Sequence, residues 1–150
     1  RYTSMYLLVV GDGPKRKSLE TLAESLQVND RCLFAGHQSK TVDFYAAMDV
    51  FVLPSLWEGL PLTILESWAA GTGVAATNVP GSRDTIEDGV TGYLAVNSVA
   101  GIMDVIDRVY QNPALIPPMV QNACNRLEHR FSLSRMIDRT EQVYCETAAE

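Results

Sequence analysis

The sequence predicts an α/β fold, a Rossmann-like, doubly wound parallel sheet with flanking helices and a helical C-terminal tail. Short apolar runs alternate along the chain with segments whose apolar residues recur at helical spacing. The run Val50–Leu53 is apolar throughout and ends at Pro54-Ser55, which is typical of a strand buried on both faces of a parallel sheet. Strands that alternate with helices are joined by crossovers, so we expect them to lie parallel.

The predicted elements follow one another in a regular order. Strands are predicted at residues 6–10, 31–34, 50–53, 73–76 and 92–96. Helices are predicted at residues 15–26, 42–48 and 61–70, with a short helical turn at 83–87. Apolar stripes at residues 99–110 and 133–144 indicate the helical tail. Asn112-Pro113 separates the two stripes, and Ser132 is the expected N-cap of the second.

Composition narrows the classes of function. The 150 residues suit a single domain, and 47% of them are hydrophobic, which is enough for a core. Lys and Arg are dispersed and the net charge is −6. The composition therefore indicates neither a nucleic acid nor an anionic membrane surface as a partner. Three separated cysteines and two histidines predict reduced thiols, a cytoplasmic protein and no metal site. No signal peptide is recognised, and the apolar runs are too short for a membrane span.

The strongest chemical signal lies at residues 50–71, which read as a strand, a glycine loop and a helix. Pro61 suits the first helical turn because its missing N–H would have no partner there, and Gly71 ends the helix. The free N–H groups near Leu62 and Thr63, together with the helix dipole, predict an anion site. Phosphate is the expected ligand of this site.

Two glutamates flank this predicted anion site. Glu66 lies on the same helical face as Leu62, about 6 Å further along the axis, with its side chain tilted back toward the N-terminus. An ionised carboxylate only accepts hydrogen bonds, so Glu66 suits ribose hydroxyls and Glu58 suits a second hydroxylated ring. Two polyols around an anion describe a nucleotide diphosphate sugar. From spacing alone, both glutamates could equally be helix-end charges favoured by the dipole.

The run from Pro54 to Glu66 resembles a known signature. It is similar to the glutamate, seven residues, glutamate motif of retaining glycosyltransferases of family 4, which are two-domain GT-B enzymes. Four more pieces extend the resemblance along nearly the whole chain: LLVVGDGP at 7–14, FAG at 34–36, YAAMDVFVLPS at 45–55 and DGVTGYL at 88–94. Their order and spacing resemble the C-terminal, donor-binding domain of that family.

The resemblance implies a hexosyltransferase-type glycosyltransferase. It implies retaining transfer from a UDP- or GDP-sugar to a glycan or lipid-linked acceptor, which a missing N-terminal domain would bind at the inner face of the cell membrane. It also implies chemistry without a metal or other cofactor, and the lack of any Asp-x-Asp in the sequence agrees. Glu58 would be the catalytic residue. The implied donor-binding residues are Gly11, Gly13, Gly36, Gly59, Leu60, Leu62, Thr63 and Glu66.

Several residues beside the motif have plainer interpretations. The glycines at 11 and 13 could simply form a tight turn. His37, beside the predicted base site at Gly36, is expected to be a solvent-exposed loop residue. Residues 78–82 could help to close the site or form a surface turn. Leu56, Trp57 and Trp68 are expected to pack rather than to stack on a sugar.

The resembled family also has features that this sequence lacks. Its members begin the domain with a further strand and helix, ending in a Gly-Arg loop and a nearby Lys that contact the diphosphate. Nothing before Tyr6 matches these, so residues 1–150 are interpreted as one nucleotide-sugar-binding domain, without its central strand, of a longer enzyme. Such a fragment should be inactive alone. Its first strand should either pair with Val50–Leu53 or leave both strands with free edges.

Two other functions remain open at this stage. One is a sugar-nucleotide epimerase of the same fold, which binds similar ligands without an acceptor. The other is a non-catalytic domain that binds a nucleotide sugar or serves only as structure.

Overall fold

The structure is a computed structural model that describes residue 2 and residues 4–148. Backbone contacts divide the chain into two compact units, the first ending at Phe44 and the second beginning at Tyr45. The prediction of a single domain over residues 1–150 stays a prediction.

The first unit is built on two parallel strands and one helix. Strand β1 (Leu7–Val10) precedes helix α1 (Arg16–Ser25), and a 3₁₀ turn leads into strand β2 (Cys32–Gly36). The strands pair from Leu7 opposite Cys32 to Val10 opposite Gly36, with an irregularity at the end of β1. Gln27 ends α1 in the left-handed region with φ 57°, and the Val28 N–H reaches back to the Ala23 carbonyl at 3.0 Å.

The second unit contains the remaining elements. In chain order they are α2 (Val42–Ala46), which starts before the boundary, β3 (Val50–Leu53), α3 (Leu62–Ala69), β4 (Gly73–Thr77), α4 (Pro80–Thr85), β5 (Tyr93–Ala95), α5 (Val99–Gln111), α6 (Ile116–Arg130) and α7 (Leu133–Ala148). The strands form a parallel sheet in the order β3-β4-β5. All five residues of the central strand β4 are buried, whereas those of β3, the strand predicted to be buried on both faces, are half-buried because β3 lies at the edge of the sheet.

The two faces of β4 carry two separate hydrophobic clusters. On one face, Val74 and Ala76 pack with Ile64 and Trp68 of α3 and with Ala123 of α6. On the other face, Ala75 packs with two residues of β5, with Val105 of α5 and with Met119 of α6. Side chains of successive strand residues point to opposite faces, so helices must cover both sides of this sheet.

The α/β fold with parallel strands and flanking helices is confirmed, but the strands form two sheets rather than one. Strand β1 pairs with β2, and β3 pairs with β4 and not with β1 in the described part of the chain. The direct pairing of the first strand with Val50–Leu53 is therefore absent. Helix α4 begins at Pro80, three residues before the predicted turn, because proline is accepted in a first turn.

The helical tail contains one helix more than the two apolar stripes indicated, since α6 lies between them. Before α7, the Ser132 carbonyl accepts a hydrogen bond from the Met136 N–H at 3.1 Å, as an N-cap residue does. The predicted stripe of α7 is exposed, including Leu133, Met136, Ile137, Val143 and Tyr144. Within the described residues, no helix combines the length and apolar character that a membrane crossing needs.

Candidate functional site

The end of β3 is tied to the end of β4 by one buried threonine. Thr77, the last residue of β4, is 1% exposed, and its Oγ1 donates to the Ser55 carbonyl. The same oxygen lies 3.4 Å from the carbonyl of Leu53 at the end of β3. The loop that carries the predicted site therefore leaves the sheet from a fixed point.

Glu58 is held in this loop by its side chain and by its backbone. The Ser55 hydroxyl donates to Oε1 of Glu58 at 2.7 Å. The Glu58 carbonyl accepts from the N–H of Gly81, in the first turn of α4, at 3.1 Å. A Cβ at position 81 would lie 2.1 Å from the Gly59 carbonyl oxygen, so only glycine allows this approach. The 78–82 segment thus packs against the predicted catalytic loop.

Helix α3 begins directly after the loop, with Pro61 as its N-cap residue rather than its first helical residue. No side chain caps this end. The N–H groups of Leu62 and Thr63 lack carbonyl partners within the helix by its geometry, whereas the Ile64 N–H reaches the Pro61 carbonyl at 3.0 Å. Leu62 is exposed and Thr63 is half-buried, so this end is open to an anion.

Glu66 lies one turn further along α3 and is exposed. Its Oε2 accepts a hydrogen bond from the phenol of Tyr45 in α2 at 3.0 Å. Burial, the hydrogen bond to Glu66 and the negative charge of Glu66 raise the pKa of Tyr45 to about 12. The phenol therefore stays protonated, and acts as a donor to Glu66, throughout the physiological pH range.

Tyr45 and Ser55 are functional candidates that sequence reasoning missed. Both lie in the segment 45–55, which resembles the family. Tyr45 contacts Glu66, 21 positions away, and no local periodicity in the sequence reveals such a pair. Ser55 lies three residues before Glu58, and serine side chains often form hydrogen bonds over such short separations. This spacing is the sequence feature from which the Ser55 to Glu58 bond could have been predicted.

Three of the predicted donor-binding residues lie in the first unit, at the carboxyl ends of its strands. The Gly11 N–H donates to the Gly36 carbonyl at 2.8 Å, and these residues have φ values of 126° and 70°. A Cβ at Gly36 would lie 3.0 Å from Nη1 of Arg16, whose Nη2 donates to the Phe34 carbonyl at 3.1 Å. Gly13 follows in the turn, where its N–H bonds the Asp12 carboxylate at 2.8 Å.

The other six predicted site residues lie together in the second unit, at 58–66. Glu58 and Gly59 form the loop, Leu60 is exposed, and the rest belong to the first two turns of α3. Their assignment to donor binding and catalysis stays a prediction. The prediction that Glu58 and Glu66 flank one anion site also stays a prediction.

The aromatic residues near the motif divide into two groups. Trp68 is completely buried, as predicted. Leu56 and Trp57 are 80% and 79% exposed, so the expectation that they pack is wrong for both. They lie in the loop between β3 and α3. His37 is exposed, as predicted.

A surface cleft lies away from the predicted site, and the described residues contain no cluster of metal ligands. A cleft of about 370 Å³ is lined by residues of α3, α6 and Phe131-Ser132, and none of the predicted site residues contributes to it. Across residues 4–148 and residue 2, no group of three or more His, Cys, Asp or Glu side chains is arranged to hold a metal ion. The prediction of chemistry without a metal stays untested.

Comparison with known proteins gives one family. Residues 1–126 match the family described as Glycosyl transferases group 1. The lipopolysaccharide core biosynthesis glycosyltransferase LpsE of Rhizobium meliloti is 35% identical over 139 residues, which are 92% of this chain and 41% of that protein. The N-acetyl-alpha-D-glucosaminyl L-malate synthase of Bacillus anthracis is 31% identical over 92% of this chain and 36% of its own length.

Solved structures share the fold over nearly the whole chain. Anabaena HepE in complex with UDP-glucose superimposes with a TM-score of 0.88 at 20% identity, covering 97% of this chain and 42% of HepE. The sucrose-phosphate synthase of Thermosynechococcus elongatus gives a TM-score of 0.85 at 27% identity, over 95% of this chain and 38% of the synthase. The chain spans about two-fifths of the length of these relatives and structures.

Proposed function

Since the chain belongs to the family Glycosyl transferases group 1, we propose that it is the donor-binding part of a glycosyltransferase that uses a UDP- or GDP-sugar. The observation that carries this proposal is the pair of restrained glutamates around the start of α3. Glu58 precedes the open helix end and is held by Ser55, whereas Glu66 follows it and is held by Tyr45. An anion site between two hydrogen-bond acceptors matches a diphosphate between two hydroxylated rings.

The proposed roles follow from the chemistry of each group. The N–H groups of Leu62 and Thr63 stabilise the diphosphate, and they do so most strongly when it departs and gains charge. Glu66 accepts hydrogen bonds from the ribose, and Glu58 accepts them from the transferred sugar. The glycines at 11, 13 and 36 are proposed to let the backbone approach the donor.

We further propose that transfer retains the anomeric configuration and needs no metal ion. The motif at residues 54–66 supports retention through its resemblance to retaining enzymes. The lack of an Asp-x-Asp in the sequence supports a diphosphate bound by amides rather than through a bridging cation. In this proposal Glu58 and Glu66 accept hydrogen bonds from donor hydroxyls. They do not act as the acid and base of a hydrolase.

The acceptor is proposed to be a glycan or a lipid-linked glycan. An Escherichia coli relative, 29% identical over 91% of this chain, is named UDP-Gal:alpha-D-GlcNAc-diphosphoundecaprenol alpha-1,3-galactosyltransferase. That name and the name of LpsE support polysaccharide biosynthesis as the process. The cysteines at 32, 124 and 145 are free, which supports the proposed cytoplasmic location.

The test is a titration of the full-length protein with UDP and GDP, followed by transfer assays with a panel of nucleotide sugars. We expect one nucleotide to bind and its sugar to be transferred only when an acceptor is added. Interconversion of sugar nucleotides without an acceptor would support the epimerase instead. Nucleotide binding without either reaction would support a non-catalytic domain, and failure to bind either nucleotide would refute the proposal.

A further inference from the structure

Although the Glu66 side chain that it contacts is exposed, Tyr45 has a buried and packed side chain. Its side chain is 7% exposed, and its ring meets that of Phe51 in β3 edge to face, with centroids 5.3 Å apart. An edge-to-face pair at this distance fixes both the position and the tilt of the ring. The phenol oxygen is therefore a fixed point at the surface of the unit.

The backbone of Tyr45 is fixed from the far end of α3. The Thr72 hydroxyl donates to the Tyr45 carbonyl at 2.7 Å, and Thr72 is 2% exposed. The N–H groups of Thr72 and Gly71 bond the carbonyls of Ser67 and Trp68, in the pattern that closes a helix with a left-handed glycine. Tyr45, near the end of α2, thus contacts both the middle of α3, at Glu66, and the segment that follows α3, at Thr72.

The glutamate at the other end of the bond has different properties. Glu66 is exposed, so its side chain would otherwise sample several rotamers at an entropic cost to any ligand that orders it. The bond from Tyr45 engages only Oε2. A carboxylate has about four acceptor sites on its two oxygens, so Oε1 and part of Oε2 remain available to a ligand.

We propose that Tyr45 is a positioning residue that orients the Glu66 carboxylate for a pair of ribose hydroxyls. This inference rests on the proposed function, which makes Glu66 the ribose contact. The phenol supplies a donor that restrains the carboxylate at Oε2, and the ligand hydroxyls supply others. Preorganisation of this kind raises affinity because less side-chain freedom is lost on binding.

The raised pKa of Tyr45 is consistent with this role. A phenolate would repel Glu66, and the neutral phenol persists because its pKa is raised to about 12 by burial and by Glu66 itself. The phenol therefore remains a hydrogen-bond donor to Glu66 at neutral pH.

The experiment compares two ligands that differ only in the hydroxyls concerned. UDP and 2′,3′-dideoxy-UDP are titrated into the full-length protein and into the variants Tyr45→Phe, Glu66→Gln and the double variant. Tyr45→Phe keeps the ring, its contact with Phe51 and the carbonyl that Thr72 bonds. Tyr144→Phe is the matched control, since it removes a phenol from a side chain that is 72% exposed on α7. If the protein prefers guanine, GDP and 2′,3′-dideoxy-GDP replace this pair.

We expect Tyr45→Phe to weaken binding of UDP about fivefold to tenfold and to leave binding of the dideoxy nucleotide unchanged. In the Glu66→Gln background, the same substitution should add less than twofold, because the residue through which it acts is altered. Tyr144→Phe should match the wild type with both ligands.

Two results would overturn the inference while the proposed function stands. One is UDP binding that depends on Glu66 but is unchanged in Tyr45→Phe. The other is equal weakening for both nucleotides, which would show that Tyr45 supports the fold rather than the carboxylate. Failure of the wild type to bind either UDP or GDP would instead refute the proposed function, and the inference with it.

Discussion

At the scale of single residues, Glu58 and Glu66 are proposed to do different work. We expect Glu66→Ala to weaken nucleotide binding about tenfold to a hundredfold, because charge-assisted hydrogen bonds of roughly 1.5–3 kcal/mol are lost. Glu58→Ala should leave nucleotide affinity nearly unchanged and mainly reduce sugar transfer. Calorimetric titration with UDP and GDP, together with a transfer assay on the full-length protein, measures both. Unchanged affinity in the Glu66 variant would contradict its assignment.

Ser55 permits a matched test of the Glu58 site. Its hydroxyl donates to Glu58 at 2.7 Å, so Ser55→Ala frees that carboxylate without removing it. We expect transfer to fall several-fold while nucleotide affinity stays constant, as in a weaker version of Glu58→Ala. Ser55→Thr, which keeps the hydroxyl, should recover most of the activity. Equal loss in both variants would show that the size of residue 55 matters rather than its bond.

The raised pKa of Tyr45 predicts that the unfolding free energy falls at alkaline pH. Its pKa in the folded chain is about 12 against 10.0 for an ordinary tyrosine, so above pH 10 the unfolded chain releases the proton first. The stabilisation is complete below pH 10 and disappears as the pH rises through 12. Urea unfolding at pH 9 and pH 11 should therefore show a larger loss of unfolding free energy in the wild type than in Tyr45→Phe. Equal losses would place the phenol in an ordinary aqueous environment.

At the scale of elements, the end of α3 depends on one glycine. Gly71 has φ 79°, and its N–H and that of Thr72 close the helix. We expect Gly71→Ala to lower the unfolding free energy by about 1 kcal/mol, because an L side chain is strained in the left-handed region. Chemical denaturation measures this change. Gly13→Ala is the comparison, since a Cβ there meets no atom within 4 Å and its φ is not positive, and it should have a smaller effect.

The contact between α4 and the loop that carries Glu58 also depends on one glycine. A Cβ added at Gly81 would meet backbone atoms of Glu58 and Gly59 at 2.1–2.7 Å, so one of the two segments must move. We expect Gly81→Ala to cost about 1–3 kcal/mol of unfolding free energy and to reduce transfer by displacing Glu58. Gly59→Ala, where a Cβ meets nothing within 4 Å, separates this clash from a general loss of glycine flexibility. Equal stability of the two variants would contradict the close approach.

The elements that sequence reasoning found are those whose signals are local. Val50–Leu53 was predicted with both its ends correct, because an apolar run and Pro54-Ser55 bound it without help from the rest of the chain. Helix α6 was not identified separately, because Pro117-Pro118 suggest a break, although prolines are tolerated in the first turn where they lie. The Tyr45 to Glu66 bond could not be predicted, because it depends on how α2 and α3 pack. Trp57 was misjudged because it lies beside an apolar helix in the sequence, whereas its loop exposes it.

At the scale of the whole molecule, the buried residues are unevenly distributed. In the first unit, Ala23 is the buried residue among those that the structure describes, whereas every residue of β4 in the second unit is buried. We expect amides of β4 to exchange with solvent only when the whole second unit unfolds. Amides of β1 and β2 should exchange through openings of lower free energy. Native-state hydrogen exchange at increasing denaturant measures both, and equal protection of the two sheets would contradict this expectation.

The hydrogen bond from the Gly81 N–H to the Glu58 carbonyl also limits how this protein can be re-engineered. A chimera that imports the 55–61 loop from another family member brings a loop whose backbone was not shaped against this first turn of α4. The first turn of α4 must therefore be exchanged together with the loop, as one cassette. Libraries that randomise the loop should keep position 81 as glycine, since any other residue there displaces the imported backbone.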